Sequence, residues 1–138
     1  MALAWYRTEE TQPRQSYGVD IQPQAIDQLT ITVQENGLEG QVVPVLADLT
    51  DLSALPEGQS FDVVTCNPPY KIEGRGILSE TDSDQIARHE TACTIDDVCR
   101  AAAWLLKFGG RFCVCQRPER LPDVMEAMRR NGLEPKRL

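Results

Sequence analysis

The chain is poor in residues that bind metals or staple small folds. It has a single histidine, His89, and five cysteines, odd in number and without a CxxC spacing, which suggest neither a zinc site nor a disulfide framework. Long hydrophobic runs are also missing. No stretch approaches a membrane span, and Ala2 to Tyr6 is too short for a signal-peptide core and has no basic region before it. These absences point to a cytoplasmic protein with neither a membrane nor a metal among its expected partners. Basic charge is scarce over most of the length: residues 1–110 carry 7 basic against 17 acidic side chains, a net −10. Residues 111–138 reverse the balance with 7 basic against 4 acidic, a net +3. The total of −7 argues against a general nucleic-acid binder but leaves a local basic face at the C-terminal end.

What is present is enough for one domain. A chain of 138 residues with 41% hydrophobic and 25% charged content can bury a sizeable core, and is too short for two ordinary domains. Strand and helix patterns alternate along it. "SYGVDI" (16–21) reads as a short strand. Pro23 then suits a first helical turn, Ile26, Leu29, Thr30 and Val33 fall on one face, and Gly37 supplies a left-handed stop. "QVVPVLAD" (41–48) is the next strand, and Pro44, lacking a donor, makes it an edge strand. After residues 61–66 and a long polar stretch, Thr94 is the expected N-cap of a helix with Asp96 and Asp97 in its first turn. That helix is expected to run through Leu105 and Leu106 to a stop at Gly109-Gly110, followed by the strand "RFCVCQ" (111–116). Cys113 and Cys115 share one face of this strand and are expected to be core packing. A last helix runs from Pro122 to about Asn131, with Gly132 as its stop. The expected class is α/β with a mostly parallel sheet.

In such sheets ligands bind beyond the C-terminal strand ends. Asp20, Asp48 and Asn67 all fall there. An acid ending a strand can accept the ribose hydroxyls of an adenosine cofactor, and Asp48, one strand over, can take the adenine amino group. The third strand is the most informative. In "FDVVTCNPPYKIEG" (61–74) an apolar β-branched run stops abruptly at two prolines and presents an Asn and a Tyr. The amide oxygen of Asn67 and the carbonyl of Pro68 can accept both hydrogens of an amine, while Tyr70 offers a flat face for an aromatic base.

Asn67-Pro68-Pro69-Tyr70 resembles motif IV of the S-adenosylmethionine-dependent amino methyltransferases, which modify adenine, cytosine or glutamine amides. "IARHE" (86–90), "LLKFGGRF" (105–112), "RPERL" (117–121) and "LEPKRL" (133–138) are similar to blocks of the bacterial tRNA(Val) adenine methyltransferases, and the similarity spans residues 17–138. The resemblance implies an incomplete Rossmann-like class I methyltransferase fold and S-adenosylmethionine as cofactor, held at Asp20, Ile21, Asp48, Leu49 and Asn67. It also implies a catalytic clamp at Asn67, Pro68, Pro69 and Tyr70 acting on the 6-amino group of adenine in tRNA. RNA contacts are implied at Arg75, Arg88, Arg117, Arg120, Arg129, Arg130, Lys136 and Arg137, with residues 71–93 as a substrate loop. His89 reads as a surface or capping residue rather than a general base. DNA adenine and protein glutamine methyltransferases share the NPPY signature, and a non-catalytic RNA-contacting or oligomerising module is the reading from another class.

The resemblance also has a gap. A complete member of that family carries a strand and a glycine-rich turn ahead of the acid, about 20 residues upstream in dinucleotide folds. Asp20 has only 19 residues before it, and Gly18 is the sole glycine among them. Residues 1–15 therefore read as the remnant of a first helix and a linker, and "KRL" stops where a sixth strand would begin. The family strand order 3-2-1-4-5 places the absent strand at the centre. The two strand pairs are then expected to close up, to be bridged by another copy of the chain, or to remain marginally stable. The chain alone is expected to show little or no methyl transfer.

Overall fold

The computed structural model describes residues 12–68 and 93–138. Two compact units divide the chain, Met1–Leu55 and Pro56–Leu138. Among the described residues the strands form two parallel pairs, the same pairs that the sequence pattern separates into an earlier and a later half.

In the first unit, strand β1 (Ser16–Asp20) pairs in parallel with β2 (Val42–Leu46), with Ser16 opposite Val42 and Asp20 opposite Leu46. Helix α1 (Pro23–Glu35) connects them, starting on Pro23 and ending before Gly37, whose φ of +62° is the expected left-handed stop. Its β-branched stretch does not prevent the helix. The hydroxyls of Thr30 and Thr32 donate to the carbonyls of Ile26 and Gln28 at 2.8 and 2.7 Å, which satisfies both groups along the helix. Leu29 packs so close to Gly18 that a Cβ there would clash with it. Val33, Val42 and Ala47 are buried. Pro44 sits in β2, whose single partner among the described residues is β1, as an edge strand requires.

The second unit begins with β3 (Phe61–Cys66), the span read from sequence. Helix α2 (Ile95–Leu105) follows, then β4 (Leu106–Val114), parallel to β3 with Cys66 opposite Val114. Thr94 closes a full capping box. Its hydroxyl accepts from the amide of Asp97 at 3.2 Å, and the Asp97 carboxylate accepts from the amide of Thr94 at 3.0 Å. Val98, Cys99, Ala101 and Ala102 form the buried stripe of α2.

Two sequence expectations need correcting here. The helix ends at Leu105 rather than at the glycine pair, and the strand begins at Leu106 rather than Arg111. Leu106 turns to an extended conformation, ψ 137°, and is buried opposite Phe61. The glycines instead serve an irregularity in the ladder between Phe61 and Val63. Gly109 has φ +79°, and a Cβ on Gly110 would stand 3.3 Å from the Asp62 carbonyl. The second correction concerns Cys113 and Cys115, which are exposed rather than core. Strand alternation turns the half-buried Phe112 and Val114 to one face and the exposed Arg111, Cys113 and Cys115 to the other.

Helix α3 (Leu121–Arg130) packs against α2 through the buried Val124 and Ala127 and ends before Gly132, φ +75°. Asp96, in the first turn of α2, accepts from Arg130 at 3.3 Å and from the Asn131 side chain at 3.2 Å. The end of α3 therefore meets the start of α2. No helix among the described residues is long and apolar enough to cross a membrane.

Candidate functional site

In the first unit, Asp20 and Asp48 stand at the C-terminal edge of the β1–β2 pair, both exposed. Each carboxylate is anchored by one oxygen. Asp20 Oδ1 accepts from the amide of Gln22 at 2.9 Å, while its backbone carbonyl accepts from Ala47 at 3.0 Å. Asp48 Oδ1 accepts from both the amide and the hydroxyl of Thr50, each at 2.8 Å. These are Asx turns, the local structure an Asp at a strand end commonly makes. They fix the side chains while leaving Oδ2 of each acid without a bond among the described residues. Ile21, beside Asp20, is 46% exposed, and Leu49 beside Asp48 is half-buried. Thr50 was not singled out by sequence reasoning, although the Asp-x-Thr spacing is its signal. Asp51 repeats the pattern with Ser53, whose hydroxyl at 2.6 Å holds the Asp51 carboxyl below the usual carboxylate value.

In the second unit, β3 delivers Asn67 and Pro68 beyond its C-terminal end. Asn67 is exposed, and Pro68, the residue after it, is buried. The backbone just before them is secured by a bond from the Cys115 amide to the Cys66 carbonyl at 3.0 Å. Burial pushes the Cys66 thiol up from its ordinary value. Cys99 is fully buried beside it in α2, and is pushed up to about 11, chiefly by burial and secondarily by Asp96 and Cys66.

This unit also carries basic residues, several of them exposed. Arg117 lies beyond the C-terminal end of β4, the partner of β3, and is exposed. The Asp96 bonds bring the end of α3 to the start of α2, and Lys136 and Arg137, farther along the chain, are exposed. Not all the cations are equally available. Arg120 pairs with Asp123 at 3.2 Å, and Arg130 is shared between Asp96 and Glu126. Arg129 is exposed. Pro69, Tyr70, Arg75, Arg88, His89 and most of the 71–93 loop lie outside the described residues. A shallow hollow of about 240 Å³, lined in part by Val33, Gln34, Gly40 and Val42, lies at the start of β2, the other end of that strand from Asp48.

Parallel strand pairs with connecting helices, one pair in each unit, fit a Rossmann-like α/β fold. The particular family follows from comparison with known families. A family model for a methyltransferase domain matches residues 2–134, nearly the whole chain, and the chain belongs to that family.

Proposed function

We propose that this protein methylates the 6-amino group of adenine in tRNA, using S-adenosylmethionine. The observation that carries the reading is the setting of Asn67 and Pro68. An exposed Asn67 and a buried Pro68 directly follow a hydrogen-bonded strand end. The donor set of the first unit fits the cofactor. Two exposed carboxylates, each with an oxygen left over from its turn, suit ribose hydroxyls at Asp20 and an adenine amine at Asp48, with Ile21 and Leu49 as apolar flanks. When bound, S-adenosylmethionine supplies a methyl group activated by a sulfonium.

The contribution of this chain is to prepare the nucleophile. An aromatic amine is weakly nucleophilic because its lone pair is delocalised into the ring. The Asn67 amide oxygen and the Pro68 carbonyl accept its two hydrogens, which draws the nitrogen towards a tetrahedral shape and turns the lone pair out of the ring plane. This is positioning and electrostatic stabilisation, and no strong general base is needed. Tyr70 stacks on the base and offsets part of the cost of taking it out of its own stack. Arg117, Lys136 and Arg137, with Arg75, Arg88 and Arg120, meet phosphates.

The test is methyl transfer from labelled S-adenosylmethionine to unmodified tRNA, to adenine-containing duplex DNA and to a glutamine peptide, followed by digestion and identification of the product. 6-Methyladenosine from tRNA is the expected product. Label confined to DNA or peptide selects the other substrates that an NPPY sequence can serve, and no label in any of the three overturns the reading. Calorimetric titration with S-adenosylhomocysteine tests the cofactor claim separately, and the absence of binding at millimolar ligand overturns it.

A further inference from the structure

Two thiols outside this site remain unused. Cys113 and Cys115 occupy alternate positions along β4 and its continuation, both exposed and on the same face. Their backbone is held straight. Cys113 is paired opposite Thr65, and the Cys115 amide donates to the Cys66 carbonyl at 3.0 Å.

We propose that Cys113 and Cys115 form a two-coordinate site for a soft monovalent cation, copper(I). Alternate residues of a strand stand about 6.6 Å apart. A disulfide requires Cβ atoms within about 4.5 Å, so the ladder keeps the two sulfurs from joining directly. A bridging ion relaxes that demand. With metal–sulfur bonds of about 2.3 Å, a linear pair puts the sulfurs about 4.6 Å apart, against about 3.8 Å for a tetrahedral pair. The linear geometry therefore needs the smaller lean, about 1 Å per side chain from the strand spacing.

Ligand number points the same way. Among the described residues, no group of three or more His, Cys, Asp or Glu side chains stands together, so a four-coordinate zinc ion finds too few donors. Two thiolates are enough for copper(I), which soft sulfur ligands select. Binding forms two copper–sulfur bonds and releases the two thiol protons, with no electron transferred. The product carries one net negative charge. Arg111, exposed on the same face two residues before Cys113, offsets it.

The experiment uses the full reduced chain under anaerobic conditions, with copper(I) presented as its bicinchoninate complex. The wild type is expected to withdraw one copper per chain, with X-ray absorption showing two sulfur neighbours. Cys113→Ser and Cys115→Ser each abolish the capture, while Cys93→Ser retains it. A second measurement does not depend on the variants folding. Bound copper(I) protects Cys113 and Cys115, and no other cysteine, from alkylation by N-ethylmaleimide, read by peptide mass spectrometry. Failure to capture copper, capture that survives the double substitution, three or more sulfur neighbours, one copper per two chains, or protection of other cysteines instead overturns the site.

Discussion

The backbone amide of Cys115 donates to the carbonyl of Cys66 at 3.0 Å, carrying the β3–β4 ladder to the residue just before Asn67. Asn67 therefore projects from backbone fixed on one side by a strand partner and followed on the other by a buried proline. The role proposed for Asn67, gripping an amine in one orientation, needs this kind of rooting, because misplacement by an ångström costs orders of magnitude in rate.

Removing that acceptor gives the most direct prediction. Asn67→Ala lowers kcat by about 10²–10³, the cost typical of losing one stabilising hydrogen-bond group in a preorganised site. Affinity for S-adenosylhomocysteine, measured by calorimetry, changes little. Unchanged turnover removes Asn67 from the mechanism.

The capping box of α2 has a measurable contribution. Thr94→Ala leaves the first-turn amides without their hydroxyl acceptor and lowers stability by about 1 kcal/mol in urea unfolding. Asp97 adds an acid dependence. Burial acts to raise its pKa, but bonds from the Thr94 side chain and backbone, with Arg100 alongside, outweigh it and hold the carboxyl below its usual 3.8. A depressed carboxylate stabilises above its unfolded pKa and loses that contribution as pH falls through the folded value. The stability difference between wild type and Asp97→Asn is therefore present at neutral pH and shrinks below pH 3.8.

Cys99 predicts the opposite limb. Its thiol is raised from 9.0 to about 11 in the folded chain, so the unfolded chain releases its proton first as pH rises. Its contribution is complete below pH 9 and is lost progressively towards pH 11. Urea midpoints for wild type and Cys99→Ala should converge across that interval. A constant difference shows that Cys99 matters through packing alone.

The basic tail is tested by salt. Lys136→Ala and Arg137→Ala each weaken tRNA binding and reduce the slope of log K against log salt by about 0.7–0.9, the share of one phosphate contact. Arg130→Ala behaves differently. It breaks the links to Asp96 and Glu126, and its main effect is a small loss of stability, since exposed pairs of this kind contribute at most about 1 kcal/mol.

Much of this arrangement was legible in the residues themselves. Phe61–Cys66 reads as a strand because its β-branched run is cut by prolines, and the two aspartates announce strand ends by position. Leu105 and Leu106 were misleading, because two leucines at the end of an apolar stripe satisfy a helix and a buried strand equally. Only the pairing of Leu106 with Phe61 decides between them. Cys113 and Cys115 failed for another reason. Alternation specifies that they share a face, but whether a face is covered depends on packing that no local pattern encodes. Thr50 was missed because its role is to hold a neighbour, and attention to Asp48 alone passes over it.

The separations bridged by each unit carry a kinetic implication. In the first unit Gln15 reaches Gly40 across 25 positions, whereas in the second Lys107 reaches Asp62 across 45. Closing the longer loop costs roughly 0.5 kcal/mol more in chain entropy, and every residue of the earlier pair leaves the ribosome before β4 exists. Assembly is thus ordered in time. The half that carries Asp20 and Asp48 matures while Asn67 still awaits the strand that will brace it.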